Sequence, residues 1–126
     1  VVYMLFFSVY YMEKMEFLTY LKEKLNLQVI RYSGHYDGPI ERVAVCGGGG
    51  SSFISAAIGA GAHAYVTGDI KYHDFFRPEN KMILADIGHF EGEHFIREII
   101  CNELKENFTN FATFISDKEF REVNYI

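Results

Sequence analysis

Between Gln28 and Asn107, short apolar runs alternate with segments of helical period, and no other feature of the chain restricts its fold as strongly. "NLQVIRYSG", ending at Gly34, "RVAVC", "HAYVTG" and "KMILADIG" read as strands rich in branched and aromatic side chains. Between them, "SFISAAIGAGA" reads as a helix that Ser51 or Ser52 is placed to cap, and "DIKYHDFFRP" as a short helix stopped by Pro78. "FEGEHFIREIICNELKEN" reads as a helix of about five turns. The segment "HYDGPIE" is a loop by its Asp-Gly and Gly-Pro pairs. Such an order predicts an α/β fold, a layered α/β/α domain around a largely parallel or mixed sheet.

Upstream, "EKMEFLTYLKEKL" places Phe17, Leu18, Leu21 and Leu25 on one helical face with lysines and glutamates opposite. The amino end, "VVYMLFFSVYY", is shorter than the ~20 residues a bilayer-spanning helix needs. It has no basic segment before it, so neither a membrane anchor nor a signal peptide is expected, and it reads as a buried strand. At the other end, "FATFIS" reads as a last strand and "DKEFREVNYI" as a tail. A chain of 126 residues suits one domain with its own core. With a net charge of −5 and no basic block, nucleic-acid binding is not expected. Cys46 and Cys101 match no zinc or disulfide spacing and read as buried thiols of a reducing, cytoplasmic compartment.

The run Gly47-Gly48-Gly49-Gly50 joins a strand to a helix, where converging backbone N–H groups often hold phosphate. No lysine follows Gly50 to make a P-loop, and Ser52 and Phe53 stand where a dinucleotide fingerprint needs glycine. A tight turn that brings strand, helix and a neighbouring loop together is the better reading.

Two polar clusters carry the candidate chemistry. "TGDIKYHD" follows a strand and offers Asp69, Lys71 and His73, with Asp69 and His73 four apart. It reads either as a helix cap with a solvated histidine or as ligand-binding groups at the carboxyl end of a strand. In "ILADIGHFEGEHF", helical geometry at ~100° per residue sets Phe95, Ile96, Ile99, Ile100 and Leu104 on one stripe. His89 falls inside that stripe and Glu93 at its edge, while Glu91 and His94 point to water. An inward histidine and carboxylate must be satisfied, either by each other or by a shared metal ion such as zinc, iron or manganese.

Together, "RVAVCGGGGSSFI", "GAHAYVTGDIKYHDFF" and "MILADIGHFEGEHF" resemble the dinuclear metal-centre protein family, also called Ngg-interacting-factor-like proteins or GTP cyclohydrolase I type 2 homologues. The resemblance runs from about Glu16 to Leu104. It implies two related α/β halves closing on a pair of divalent metal ions, and assembly into toroidal homo-hexamers. In the family's Gly-His-x-x-x-Glu element the His and Glu are ligands, which places His89 and Glu93 as metal ligands here. The His-His pair and Asp of the family's other half have no counterpart in this chain. The resemblance therefore makes residues 28–126 a carboxyl-terminal metal-centre lobe, and residues 1–27 the re-entry from an inserted domain. Gly92 and His94 depart from the Ser and Gln usual in the family.

On this resemblance the parent protein is expected to be a metal-dependent hydrolase acting on a nucleotide-like or phosphate-bearing substrate. Asp69, Lys71 and His73 would line the cleft as acid–base or positioning groups. The alternative is an oligomeric metal-binding scaffold without catalysis. A lobe without the other half is further expected to expose an apolar patch and to self-associate.

Overall fold

The computed structural model describes residues 3–118 and 121–126. Its elements follow in the order β1 (Leu5–Met12), α1 (Lys14–Lys24), β2 (Arg31–Tyr32), β3 (Ile40–Gly49), α2 (Ile54–Gly59), β4 (Ala64–Gly68), β5 (Ile83–Asp86), α3 (His89–Glu93) and α4 (Ile96–Asn107). The five strands form one sheet in the order β1-β3-β4-β5-β2. The middle three are parallel, and both edges, β1 on β3 and β2 on β5, are antiparallel. The fold is thus α/β with a mixed sheet, as the strand–helix alternation predicts.

The period-two pattern explains why both faces of the central strands are dry. Val43, Ala64, Val66, Ile83 and Ala85 point to one side, where Phe17 and Leu18 of α1 cover them. Their neighbours Ala44, Cys46, Tyr65 and Leu84 point to the other, against Ile54 and Ala57 of α2 and the following Ala62 and Ile70. Parallel strands buried on both faces read as continuous apolar runs, which is why "HAYVTG" and "KMILADIG" show no polar alternation. Helix α1 starts where the Glu16 carboxylate accepts the Glu13 N–H at 3.3 Å and carries Lys22 and Lys24 in its last turn.

Several sequence expectations are corrected. The apolar amino end is a strand, but an edge strand: Phe6, Phe7, Tyr10 and Tyr11 are exposed, and Val9 and Met12 are what pack on the core. From "NLQVIRYSG" only Arg31 and Tyr32 pair as strand with β5, and Ser33 continues the contact through hydrogen bonds with Leu84. No serine side chain caps α2, which is entered through a 3₁₀ turn at Ser51–Phe53 after Gly50. "DIKYHDFFRP" closes as a 3₁₀ turn, Tyr72–Phe76. The five-turn helix is two helices, α3 and α4, broken at His94–Phe95. "FATFIS" forms no strand, and of the tail residues 119 and 120 lie outside the described residues. Among the described residues no helix is long and apolar enough to cross a membrane.

Candidate functional site

Strands β3, β4 and β5 run parallel and end together, so the glycine run, Asp69 and His89 arrive at one edge of the sheet. Ligands of open α/β sheets collect at this edge. The chain leaves β5 through Gly88, at φ 90°, and turns at once into α3 with His89 as its first residue. Leaving β4, Asp69 takes φ 54°, a left-handed conformation that Asp tolerates better than most residues. One buried carboxylate ties these two exits together: Asp86 accepts the Ile70 N–H and the Gly88 N–H, both at 2.9 Å.

The result is a three-residue array. His89 Nδ1 lies 2.6 Å from Asp69 Oδ2, and its Nε2 lies 3.2 Å from Glu93 Oε2, one helical turn on. The hydrogen bond to Asp69 raises the His89 pKa above the ordinary imidazole value; burial opposes this, and the charges of Glu93 and Asp69 add to the rise. The sequence expectation that both look inward is corrected: His89 is 50% and Glu93 53% exposed, because they stand at the open end of the sheet and not on a face packed against the core. They line a cavity of about 740 Å³ together with Asp69, Arg31, Phe90 and Tyr125.

The glycine run lies directly behind this array. Gly48 is at φ 64°, its carbonyl accepts the Thr67 hydroxyl at 3.1 Å, and a Cβ there would overlap the Glu93 carboxylate and sit 3.2 Å from His89 Nε2. A side chain at Gly50 would strike Thr67 and the Tyr65 hydroxyl, which donates to the Gly50 carbonyl at 2.8 Å. The run is the close-packed turn read from the sequence, and what it admits is the His89–Glu93 pair.

Of the five sequence candidates, the fold brings Asp69, His89 and Glu93 into contact. Lys71, just before the 3₁₀ turn, and His73, on it, are exposed and do not line the cavity; the His73 ring meets that of Tyr72 edge on. The helical stripe is corrected as well. Phe95, Ile96, Ile99 and Ile100 are exposed and Cys101 is the buried residue of α4; the single helix on which that stripe was drawn is broken at His94–Phe95, so one helical phase does not run through both parts. Glu91, expected in water, is only 8% exposed and pairs with Arg121 at 3.2 Å, the guanidinium standing 5.1 Å over the Phe90 ring. His94 stacks on Phe90, and its Nδ1 is buried with no hydrogen-bond partner among the described residues. Sequence reasoning also missed Arg31, Asp86 and Tyr125 as cavity residues. An aspartate inside the apolar run "MILADIG" was the available signal for Asp86.

Whether a metal fits can be asked of the donors themselves. Imidazole Nε2 and the Glu93 carboxylate converge, and Asp69 fixes the ring from Nδ1, the usual arrangement behind a metal-binding histidine. No group of three or more His, Cys, Asp or Glu among the described residues is placed to hold an ion. The donors therefore fit a metal as part of a shared site, two ligands and a positioning carboxylate, not as a complete shell.

Comparison with known proteins bears on the family and the fold. The model of the Duf34/NIF3 (NGG1p interacting factor 3) family matches residues 5–120. A GTP cyclohydrolase 1 type 2 homolog of Staphylococcus epidermidis is 42% identical over 84 residues, covering 66% of this chain and 23% of that protein. One from Clostridium perfringens is 30% identical over 114 residues, covering 88% of this chain and 43% of its own. The crystal structure of the Staphylococcus aureus protein SA1388 matches with a TM-score of 0.82 at 27% identity, over 98% of this chain and 42% of that one. A Bacillus cereus protein related to NIF3, at 22% identity and a TM-score of 0.77, shares the fold. The chain spans less than half the length of each of these relatives.

Proposed function

This chain belongs to the Duf34/NIF3 family, and on that premise we propose that it supplies one side of a divalent-metal centre in a hydrolase-type protein. The observation that carries the reading is the Asp69–His89–Glu93 array at the mouth of the cavity, with Gly48 kept bare behind it. His89, through Nε2, and Glu93 would be the ligands, and Asp69 would hold the imidazole with its proton on Nδ1. The remaining ligands would come from another lobe or another copy. A bound zinc, iron or manganese ion would supply Lewis acidity for water-dependent cleavage.

The names of the relatives as GTP cyclohydrolase 1 type 2 homologs support a nucleotide-like or phosphate-bearing substrate as the class to test first. The cavity, at about 740 Å³, is of the size that small-molecule ligands occupy. Self-association belongs to the same reading, because the exposed Ile96, Ile99 and Ile100 of α4 leave an apolar strip uncovered in the single chain.

Metal content of the purified chain, measured by mass spectrometry beside His89→Ala and Glu93→Ala, tests the proposal. Zinc, iron or manganese is expected in the unmutated chain after loading and absent from both variants, with far-UV circular dichroism unchanged. Equal metal in all three would sink it.

A further inference from the structure

We propose that Arg31 is an oxyanion-recognition residue, its guanidinium held in the cavity wall to take a phosphate or carboxylate group of the ligand. The inference rests on the metal reading above and names the residue that would meet the anionic group of what the centre binds.

Arg31 opens β2 and pairs with Asp86 across the sheet edge, which carries its side chain to the cavity that His89 and Glu93 also line. It is held from three directions. Nη2 donates to the Ile70 carbonyl at 3.0 Å and to the Asp86 carboxylate, and the guanidinium carbon stands 5.6 Å from the centre of the Phe75 ring. Both polar contacts use the same nitrogen. Nε and Nη1 have no hydrogen-bond partner among the described residues, and the side chain is 59% exposed. The guanidinium is therefore anchored at one nitrogen and open at the other two, so it can bind without first paying to be ordered.

A second role, as mere counter-ion of Asp86, leaves this geometry unexplained. Asp86 already accepts two backbone N–H groups, and a counter-ion alone needs neither an aromatic backing nor two unpartnered donors on a residue that lines a cavity. The cavity's charge sharpens the inference. Besides Arg31 and the imidazoles of His89 and His94, the ionisable lining is acidic; with Asp86 paired to Arg31 and Glu91 to Arg121, it leaves Asp69, Glu93 and Glu122. A cation at His89 and Glu93 would offset these carboxylates, so anion binding and metal binding are expected to strengthen each other.

The test uses the full chain, metal-loaded and metal-free, titrated calorimetrically with methyl phosphate and, separately, with acetate at fixed ionic strength. Arg31→Gln and Arg31→Lys are compared with the unmutated chain. Lysine keeps the charge beside Asp86 but has one nitrogen for both duties, so it cannot serve anchor and ligand together. At least one probe is expected to bind the metal-loaded chain, and both variants to lose tenfold or more in affinity for it while retaining metal. Which probe binds tells phosphate from carboxylate. Should Arg31→Gln fail to fold, Arg31→Lys decides the matter. Undiminished affinity in a folded, metal-loaded variant overturns the inference and leaves the metal centre standing, as does failure of the loaded chain to bind either probe. A chain that takes up no metal overturns the metal reading and this one with it.

Discussion

At the scale of single residues, the site depends on atoms that are missing as much as on those present. Gly48 combines a left-handed φ with the position a Cβ would need beside Glu93 and His89. Gly48→Ala is expected to cost about 1–2 kcal/mol in urea denaturation from the backbone alone. It should also weaken metal uptake, because the methyl group takes the place of the Glu93 carboxylate. Thr67→Val tests the support underneath: it removes the hydroxyl that donates to the Gly48 carbonyl in a buried setting. A loss of about 1 kcal/mol is expected there. Gly92 belongs to the same packing. A Cβ on it would come within 3.3 Å of the Gly48 nitrogen, so the bare residue lets α3 rest on the glycine run at the cost of helix propensity.

At the scale of elements, α1 and α4 make opposite use of apolar side chains. Phe17 and Leu18 of α1 are buried against the sheet, and Leu18→Ala is expected to cost about 2–5 kcal/mol by the cavity it leaves. Ile99 on α4 is 61% exposed, so Ile99→Lys should change the stability of the single chain by less than about 0.5 kcal/mol in the same denaturation experiment. The start of α1 is tied to the loop before β3 by Lys14, which donates to the Gly34 and Tyr36 carbonyls and to Asp37 at 2.7 Å. That hydrogen bond from Lys14 holds the Asp37 carboxyl below its ordinary pKa. A carboxyl depressed on folding contributes stability that is present above its unfolded pKa and lost as pH falls through the folded value. The unfolding midpoint of the unmutated chain should therefore drop slightly more than that of Asp37→Asn as pH is lowered below about 4. The difference should fade in high salt, since the pair is exposed.

At the scale of the whole molecule, a sheet buried on both faces sits beside surfaces that are plainly uncovered: the aromatic residues of β1 and the isoleucine strip of α4. Sedimentation velocity at tens of micromolar chain is expected to give a mass above 14.5 kDa, with Ile99→Lys moving it toward the monomer. A monomer in both cases would remove self-association from the proposed function. This scale also explains how far the sequence could be read. The central strands β3, β4 and β5 were legible because apolar runs between turn signals have few other ways to bury themselves. The edges were not: β2 and β1 hold their places by pairing with β5 and β3, and nothing local in "VVYMLFFSVYY" says that most of its apolar side chains will stay in water.

The sequence by itself determined the α/β class, from the alternation of apolar runs and helical periods, and the spacing of four that puts His89 and Glu93 one helical turn apart. The tertiary structure alone decided that Asp69 and not His73 meets that pair, that α4 turns its stripe outward, and that Arg31 and Asp86 join the cavity wall. These contacts join residues 20 and 55 positions apart, Asp69 with His89 and Arg31 with Asp86. Such distances are closed by the sheet's strand order and by the left-handed turn at Asp69, neither of which any local pattern of side chains encodes.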